Sequence, residues 1–261
     1  MTSRISIGRL LDKIPTSTLL YRFCRRIVNH YNSENNNNIH TNGELRLMRA
    51  VLPQCTTVFD VGANIGDWTA LALEINPQLK IHCFELSSVT FQRLQARGGG
   101  TICNNFGLSS APGEMTLWVF ADGAGINSLY KRQGLEDGYG LAEQQRKETV
   151  RLDTLDAYCQ RAGVQMIDLM KVDVEGHELE VFKGAAGMLA KAKIKRIQFE
   201  FGGCNIDSRV LLKDLFDFFS PYHYALSKIY PQELRHIPRY DQRLENFQYQ
   251  NWVAVANGVS F

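Results

Sequence analysis

No stretch of this 261-residue chain reaches the ~20 consecutive apolar residues that cross a bilayer, and its first residues lack the continuous apolar core of a signal peptide. Together these absences set the expectation of a cytoplasmic protein with no transmembrane segment. An excess of charge of one sign is also missing. The 29 Lys and Arg nearly balance the 27 Asp and Glu, for a net +2, which gives no electrostatic case for a nucleic-acid partner. The six cysteines (Cys24, Cys55, Cys83, Cys103, Cys159 and Cys204) are widely spaced and form no C-x-x-C pair. That excludes a cysteine zinc site or a disulfide framework and suits a reducing compartment. No internal repeat is visible. What the chain does have is 44% apolar residues, enough for the core of one large α/β domain.

Strand-like and helix-like segments alternate from residue 56 onward. Strands are expected at 56–61, 80–85, 101–104, 148–152, 167–172, 195–201, 223–229 and 251–256, with a further one at 115–120. Helices fit 67–75, 87–97, 153–161, 177–190 and 208–219. The alternation predicts a doubly wound, mostly parallel sheet covered by helices on both faces, in a domain spanning 46–261. Residues 1–45 form an appendage. Positions 1–31 read as basic and helical, with an apolar side and a break at Pro15. Asn35–Asn38 with Thr41, Asn42 and Gly43 reads as a polar linker. The N-terminal helix has two readings: a segment touching a membrane surface or a partner, or a cap packed on the domain or in a homodimer contact. The Gly-rich, charged segment 121–147 reads equally as a lid or as a surface insertion.

The run VFDVGANIGDWT, 58–69, is the most informative piece. An apolar strand ends at Asp60, the turn passes through Gly62, Asn64 and Gly66, and a helix starts near Asp67. Glycines let the backbone turn sharply and approach a ligand, and a helix N-terminus favours an anionic group. The dinucleotide fingerprint G-x-G-x-x-G is absent; the turn reads G-x-N-x-G, with an acid two residues before the first glycine. That suits S-adenosylmethionine (SAM), which has no pyrophosphate, better than NAD. Asp60 could help hold its ammonium through water or backbone. Glu85 lies 23 residues after Gly62, at the tip of the next strand, where an acid accepts hydrogen bonds from a ribose diol. After the third strand, NNFGLSS offers Asn105, chosen over Asn104, for the adenine edge.

On the other side of the expected crevice comes KVDVEGHELEVFKGA, 171–185. Asp173, Glu175 and His177 alternate there, with Gly176 making the corner. The carboxyl ends of central strands line the ligand crevice of an open α/β sheet, so the three read as catalytic. His177 is the natural base, its pKa raised and its ring oriented by two carboxylates, while Asp173 or Glu175 could orient it or act themselves. Glu200, ending the next strand, should face the same crevice. Lys171 could pair with Asp173. A rival account makes Asp173, Glu175, His177 and Glu200 a site for Mg or Mn.

Taken in order, VFDVGANIGDWT, FE, N-x-x-LS, VRLDTLDAYC, IDLMKVDVEGHELEVFKGA and QFEF resemble the FkbM family of SAM-dependent methyltransferases, over about residues 50–257. The resemblance implies a class I methyltransferase (Rossmann-like) fold: a seven-stranded sheet whose last strand is antiparallel. It also implies methyl transfer to a hydroxyl of a sugar, glycan or secondary metabolite, and it puts Ser128, in INSLY, near the cofactor. The family often has Phe or Ala where this chain has His177. Residues 1–45 fall outside the resemblance. Other acceptors, such as protein or lipid, and a non-catalytic SAM-fold scaffold are the alternatives. An NAD oxidoreductase is disfavoured by the missing third glycine and by the lack of a Tyr-x-x-x-Lys pair. Nucleic-acid methylation is disfavoured by the lack of an N-P-P-Y-like motif.

Overall fold

The computed structural model describes residues 17–134 and 146–260. Pro15 and the distal part of the 121–147 segment lie outside the described residues.

The first long apolar run forms β1 (Thr57–Val61), which is followed by α3 (Asp67–Ile75), β2 (Lys80–Phe84), α4 (Ser88–Arg97) and β3 (Ile102–Asn104). Ahead of β1 lie α1 (Thr18–Asn32) and α2 (Glu44–Val51). After β3 come β4 (Gly107–Leu108), β5 (Gly113–Val119), β6 (Arg146–Asp153), α5 (Leu155–Ala162) and β7 (Leu169–Val172). Next are α6 (Glu178–Lys183), α7 (Ala186–Ala190), β8 (Arg196–Phe201), α8 (Cys204–Ser208) and α9 (Leu212–Phe219). β9 (Tyr224–Ile229), β10 (Leu234–His236) and β11 (Gln250–Ala256) complete the chain.

Among the described residues the central sheet has eight strands, ordered β10-β9-β11-β8-β7-β1-β2-β3. Strands β3, β2, β1, β7 and β8 pair in parallel. β11 runs antiparallel between β8 and β9, as the resemblance implied for the last strand. The eighth strand is a departure from the expected seven. The chain turns tightly after β9, where the Tyr230 N–H donates to the Glu233 carbonyl at 2.9 Å, and β10 folds back antiparallel along the sheet edge. The strands paired on both sides are buried on both faces, and successive side chains feed opposite layers. Phe59 packs with Phe84, Phe182, Phe199 and Trp252 on one face. Val58 packs with Met48, Ile81, Leu169 and Val253 on the other.

Two other expectations need correction. The 148–152 run does not join the central sheet. It lies in β6, which pairs antiparallel with β5 and parallel with β4 in a separate three-stranded sheet. Only one face of β6 carries core residues: Val150 and Leu152 pack with Leu117, Val119 and Leu129, so it is built for a sheet with one covered side. The expected helix 177–190 is two helices. Gly184, at the break, lies so close to the loop after β4 that a Cβ there would come 2.0 Å from the Ser109 carbonyl oxygen. The Asn-rich segment before α2 is pinned to the domain: buried Glu34 meets Lys228 at 3.1 Å, and Glu44 accepts from Gln198 at 2.6 Å. No helix among the described residues is long and apolar enough to cross a membrane.

Candidate active site

The connections from β1 and β7 lead to opposite halves of the sheet, and at such a reversal a crevice opens beyond the carboxyl ends of the strands. Gly62 sits at its rim with φ +81°, and a Cβ there would lie 1.8 Å from the Asp173 carbonyl oxygen. Only glycine lets the β1 and β7 loops come this close. Asn64, at φ +49°, continues the turn, and Gly66 in left-handed geometry caps α3. Glu85 ties this turn to the tip of β2. One carboxylate oxygen accepts from the Asn64 N–H and the other from the Ser87 N–H, both at 2.9 Å. Burial raises the Glu85 pKa to about 7, opposed by those two hydrogen bonds. The Asn64 amide nitrogen donates to the Gly123 carbonyl at 3.1 Å, while its buried Oδ1 has no hydrogen-bond partner among the described residues.

The cavity beside this turn encloses about 710 Å3 of space, the open solvent at its mouth included. Gly62, Asn64 and Glu85 line one side, and Asp173, Glu175 and His177 line the other. Ala124, Gly125, Asn127 and Leu129 contribute a third wall, so the described part of the 121–147 segment faces the site.

The β7–α6 loop is held from within. Glu178 Oε1 accepts from the N–H groups of Val174, at 3.2 Å, and Gly176, at 3.1 Å. Glu175 takes φ +53°, which turns its carboxylate to Arg132 at 2.6 Å, and Arg132 also meets Asp207 at 3.2 Å. Burial and the neighbouring Asp173 charge push the Glu175 pKa upward against the pull of Arg132. Asp173 is paired with Lys171 at 3.2 Å. His177 is buried, with Nδ1 2.9 Å from the Tyr130 hydroxyl and Nε2 2.9 Å from the Ser109 hydroxyl. Neither Asp173 nor Glu175 orients the ring, contrary to expectation. The expected rise in its pKa is reversed as well: burial outweighs the Glu180 charge and takes His177 down to about 4. The imidazole is therefore neutral at pH 7 and bridges two hydroxyls.

Five expected residues do not line the cavity. Asp60 is fully buried, accepts from the Thr69 hydroxyl at 2.6 Å, and has its charge met by Lys171 at 3.6 Å. Gly66 works through the backbone; a Cβ there would come 2.8 Å from Leu94 Cδ1. The Asn105 amide donates to the carbonyls of Glu85 and Leu86 at 3.0 and 3.2 Å, so it braces the β2 tip. Ser128 donates to the Glu175 carbonyl at 2.7 Å, between Asn127 and Leu129, which do face the site. Glu200 accepts from the Tyr249 hydroxyl at 2.7 Å, and burial with the Asp173 charge raises its pKa well above the carboxylate range.

The expected Mg or Mn site is not supported. No group of three or more His, Cys, Asp or Glu among the described residues is arranged to hold a metal ion. The physical reason is that each candidate ligand is already committed: Glu175 to a guanidinium, Asp173 to an ammonium, His177 to two hydroxyls and Glu200 to a phenol. The residues that the sequence did not disclose are Ser109, Tyr130, Arg132 and Asp207. Ser109 and Tyr130 sit within the LSS and INSLY runs, yet neither run marks them as histidine partners.

A parallel sheet closed by an antiparallel last strand, a glycine turn after its first strand and an acid ending its second define a domain of the class I methyltransferase fold. The chain belongs to the FkbM methyltransferase family: the family model described as "Methyltransferase FkbM domain" matches residues 60–226. Methyltransferase sdnD of Sordaria araneosa is 33% identical over 161 residues, covering 52% of this chain and 62% of that protein. Hexuronic acid methyltransferase AglP of Haloferax volcanii is 27% identical over 167 residues, covering 61% and 64%. The 31-O-demethyl-FK506 methyltransferase FkbM of Streptomyces tacrolimicus is 31% identical over 155 residues, covering 49% and 58%. The chain thus spans 58% to 64% of the length of these relatives.

Proposed function

We propose that this protein is a SAM-dependent O-methyltransferase that methylates a hydroxyl of a sugar, glycan or secondary metabolite. The observation that carries the reading is a cavity lined on one side by Gly62, Asn64 and Glu85 and on the other by the Asp173–Glu175–His177 loop. The names of two relatives, a hexuronic acid methyltransferase and a 31-O-demethyl-FK506 methyltransferase, support the acceptor class.

The residues fit SAM. Gly62 lets the two loops that flank the cavity close on each other, and the buried Asn64 Oδ1, beside them, lacks a partner among the described residues. Glu85 would accept from the ribose hydroxyls, as an acid at this strand tip does in doubly wound folds. When bound, SAM supplies a sulfonium-activated methyl group. The chain must align the acceptor oxygen and take its proton. Holding reactants in near-attack geometry contributes ~7–11 kcal/mol. Asp173, which lines the cavity and is paired with Lys171, would be the carboxylate that accepts that proton. His177, neutral and bridging Ser109 and Tyr130, positions the loop and offers a short path for proton exchange through either hydroxyl. Arg132 holds Glu175 in place beside them.

The test is transfer from methyl-labelled SAM to hexuronic acids and to polyketide alcohols, with the new linkage read by NMR. An O-methyl product that is lost in Asp173→Asn supports the reading. Methyl on nitrogen or carbon, or on protein alone, replaces it.

A further inference from the structure

The helix α1 is not used by the reading above. Its N-cap, Ser17, accepts from the Leu20 N–H, and its C-cap, Ser33, takes the left-handed geometry that ends helices. None of its residues is buried among the described residues. Leu19, Tyr21, Phe23, Ile27, Val28 and Tyr31 are each more than half exposed. The spacing of Leu20, Phe23, Ile27 and Tyr31 places them on one side of the helix, while Arg22, Arg25, Arg26 and Asn29 fall on the opposite side. The helix holds no Asp or Glu.

Charge is distributed in the same sense. The first 33 residues carry six of the 29 Lys and Arg but one of the 27 Asp and Glu. The rest of the chain, with 23 basic against 26 acidic residues, is therefore net −3. Helix α1, basic and amphipathic, stands on a mildly acidic body. The helix is tied down at its C-terminal end, where Glu34 takes the Lys228 ammonium at 3.1 Å and the Asn246 amide at 2.9 Å. The Asn35 N–H also donates to the Tyr249 carbonyl at 3.0 Å.

From this geometry we propose that α1 docks on an anionic phospholipid surface. It lies in the interface plane, with Phe23, Ile27 and Leu20 among the acyl chains and the arginines at the headgroups. A basic polar face opposite an aromatic and aliphatic one is the pattern of an interfacial helix. Arg stems reach along apolar surface while their heads stay in water. A soluble dimer formed through the same apolar stripe would have no use for the one-sided charge. A negative surface would repel the body and attract this helix alone. Each arginine near such a surface adds about five-fold to partitioning.

The test uses the full chain and vesicle flotation, with phosphatidylcholine vesicles with and without phosphatidylserine. Binding is expected only with phosphatidylserine, falling steeply as salt rises. Replacing Arg22, Arg25 and Arg26 together by Gln should weaken it ~100-fold. Phe23→Ser with Ile27→Ser should abolish it at unchanged Tm, because neither residue is in the core. Equal binding to both vesicles, no binding to either, or binding untouched by the arginine replacements would overturn the proposal. So would sedimentation showing a vesicle-free dimer that the Phe23→Ser, Ile27→Ser variant splits, since the stripe would then belong to a second copy.

Discussion

Replacing Arg132 by Leu should unfold this protein sooner than any other single change near the site, and the loss should grow as pH rises. The guanidinium side chain is 7% exposed and lies between Glu175, 19% exposed, and Asp207, 14% exposed. Leucine fills much of the space of the arginine stem but leaves two largely buried carboxylates without a counter-charge. Breaking a buried pair in this way costs ~3–5 kcal/mol. For a chain of this size that corresponds to a fall in Tm of roughly 10 °C. The sign with pH follows from linkage. Burial already raises the Glu175 pKa in the folded state above its unfolded value, and removing Arg132 raises it further. Between those values the folded state binds more protons than the unfolded state, so stability falls as pH rises. Wild-type Glu175 already titrates at about 8, so the variant should part from wild type as pH rises through that value and the gap should widen above it. Arg132→Leu with Glu175→Gln should recover a good part of the loss. Urea titrations across that pH range read the result. A loss under ~1 kcal/mol that is flat with pH would refute the reasoning, because it would place the ion pair in water.

Four other outcomes follow. His177→Gln should flatten the acid limb of the stability curve. Burial takes His177 down from 6.5 to about 4, so its contribution is present above pH 6.5 and lost as pH falls towards 4, on the order of 3 kcal/mol at full protonation of the unfolded state. Calorimetric melts at pH 4.5 and 7.5 compare the two proteins. On the proposed role of Glu85, Glu85→Gln should weaken binding of S-adenosylhomocysteine ~10–100-fold, since it removes the carboxylate that holds the Asn64 and Ser87 N–H groups and would accept from a ribose, as titration calorimetry would measure. Gly62→Ala should abolish that binding, because its Cβ would lie 1.8 Å from the Asp173 carbonyl oxygen and force the two loops apart; a folded variant binding normally would count against the cradle. Exhaustive treatment with EDTA should leave methyl transfer unchanged, since Glu175 and Asp173 are committed to Arg132 and Lys171; activity lost to EDTA and restored by Mg or Mn would contradict that.

The parts of this molecule that were legible in the sequence are local ones. The turn from Asp60 to Asp67 is written in Gly62, Asn64 and Gly66, because glycine at φ +81° and +85° has no substitute there. Glu85 was legible because strand length and turn length fix its distance from Gly62. The buried strands were legible as apolar runs, and α3 starts and stops where the pattern said. The arrangement around His177 was not legible. Its partners lie 68 and 47 residues away, at Ser109 and Tyr130, and serine and tyrosine carry no local mark of a buried histidine contact. The low pKa of His177 is hidden from the sequence for the same reason. Adjacent carboxylates in sequence suggested a raised value, yet the left-handed Glu175 turns its charge to Arg132, 43 residues away, and leaves burial to dominate. The sheet that β6 joins is not legible either, because 26 residues separate it from its partner β5 and an alternating strand reads alike in either sheet.

The most direct measurement is equilibrium binding of SAM to the full chain by titration calorimetry, with NAD as the comparison ligand. A single site for SAM, abolished by Gly62→Ala and weakened by Glu85→Gln, with no heat from NAD, is the predicted result. A folded protein that gives no signal with SAM, or that binds NAD at the same cavity, would contradict the assignment of this crevice.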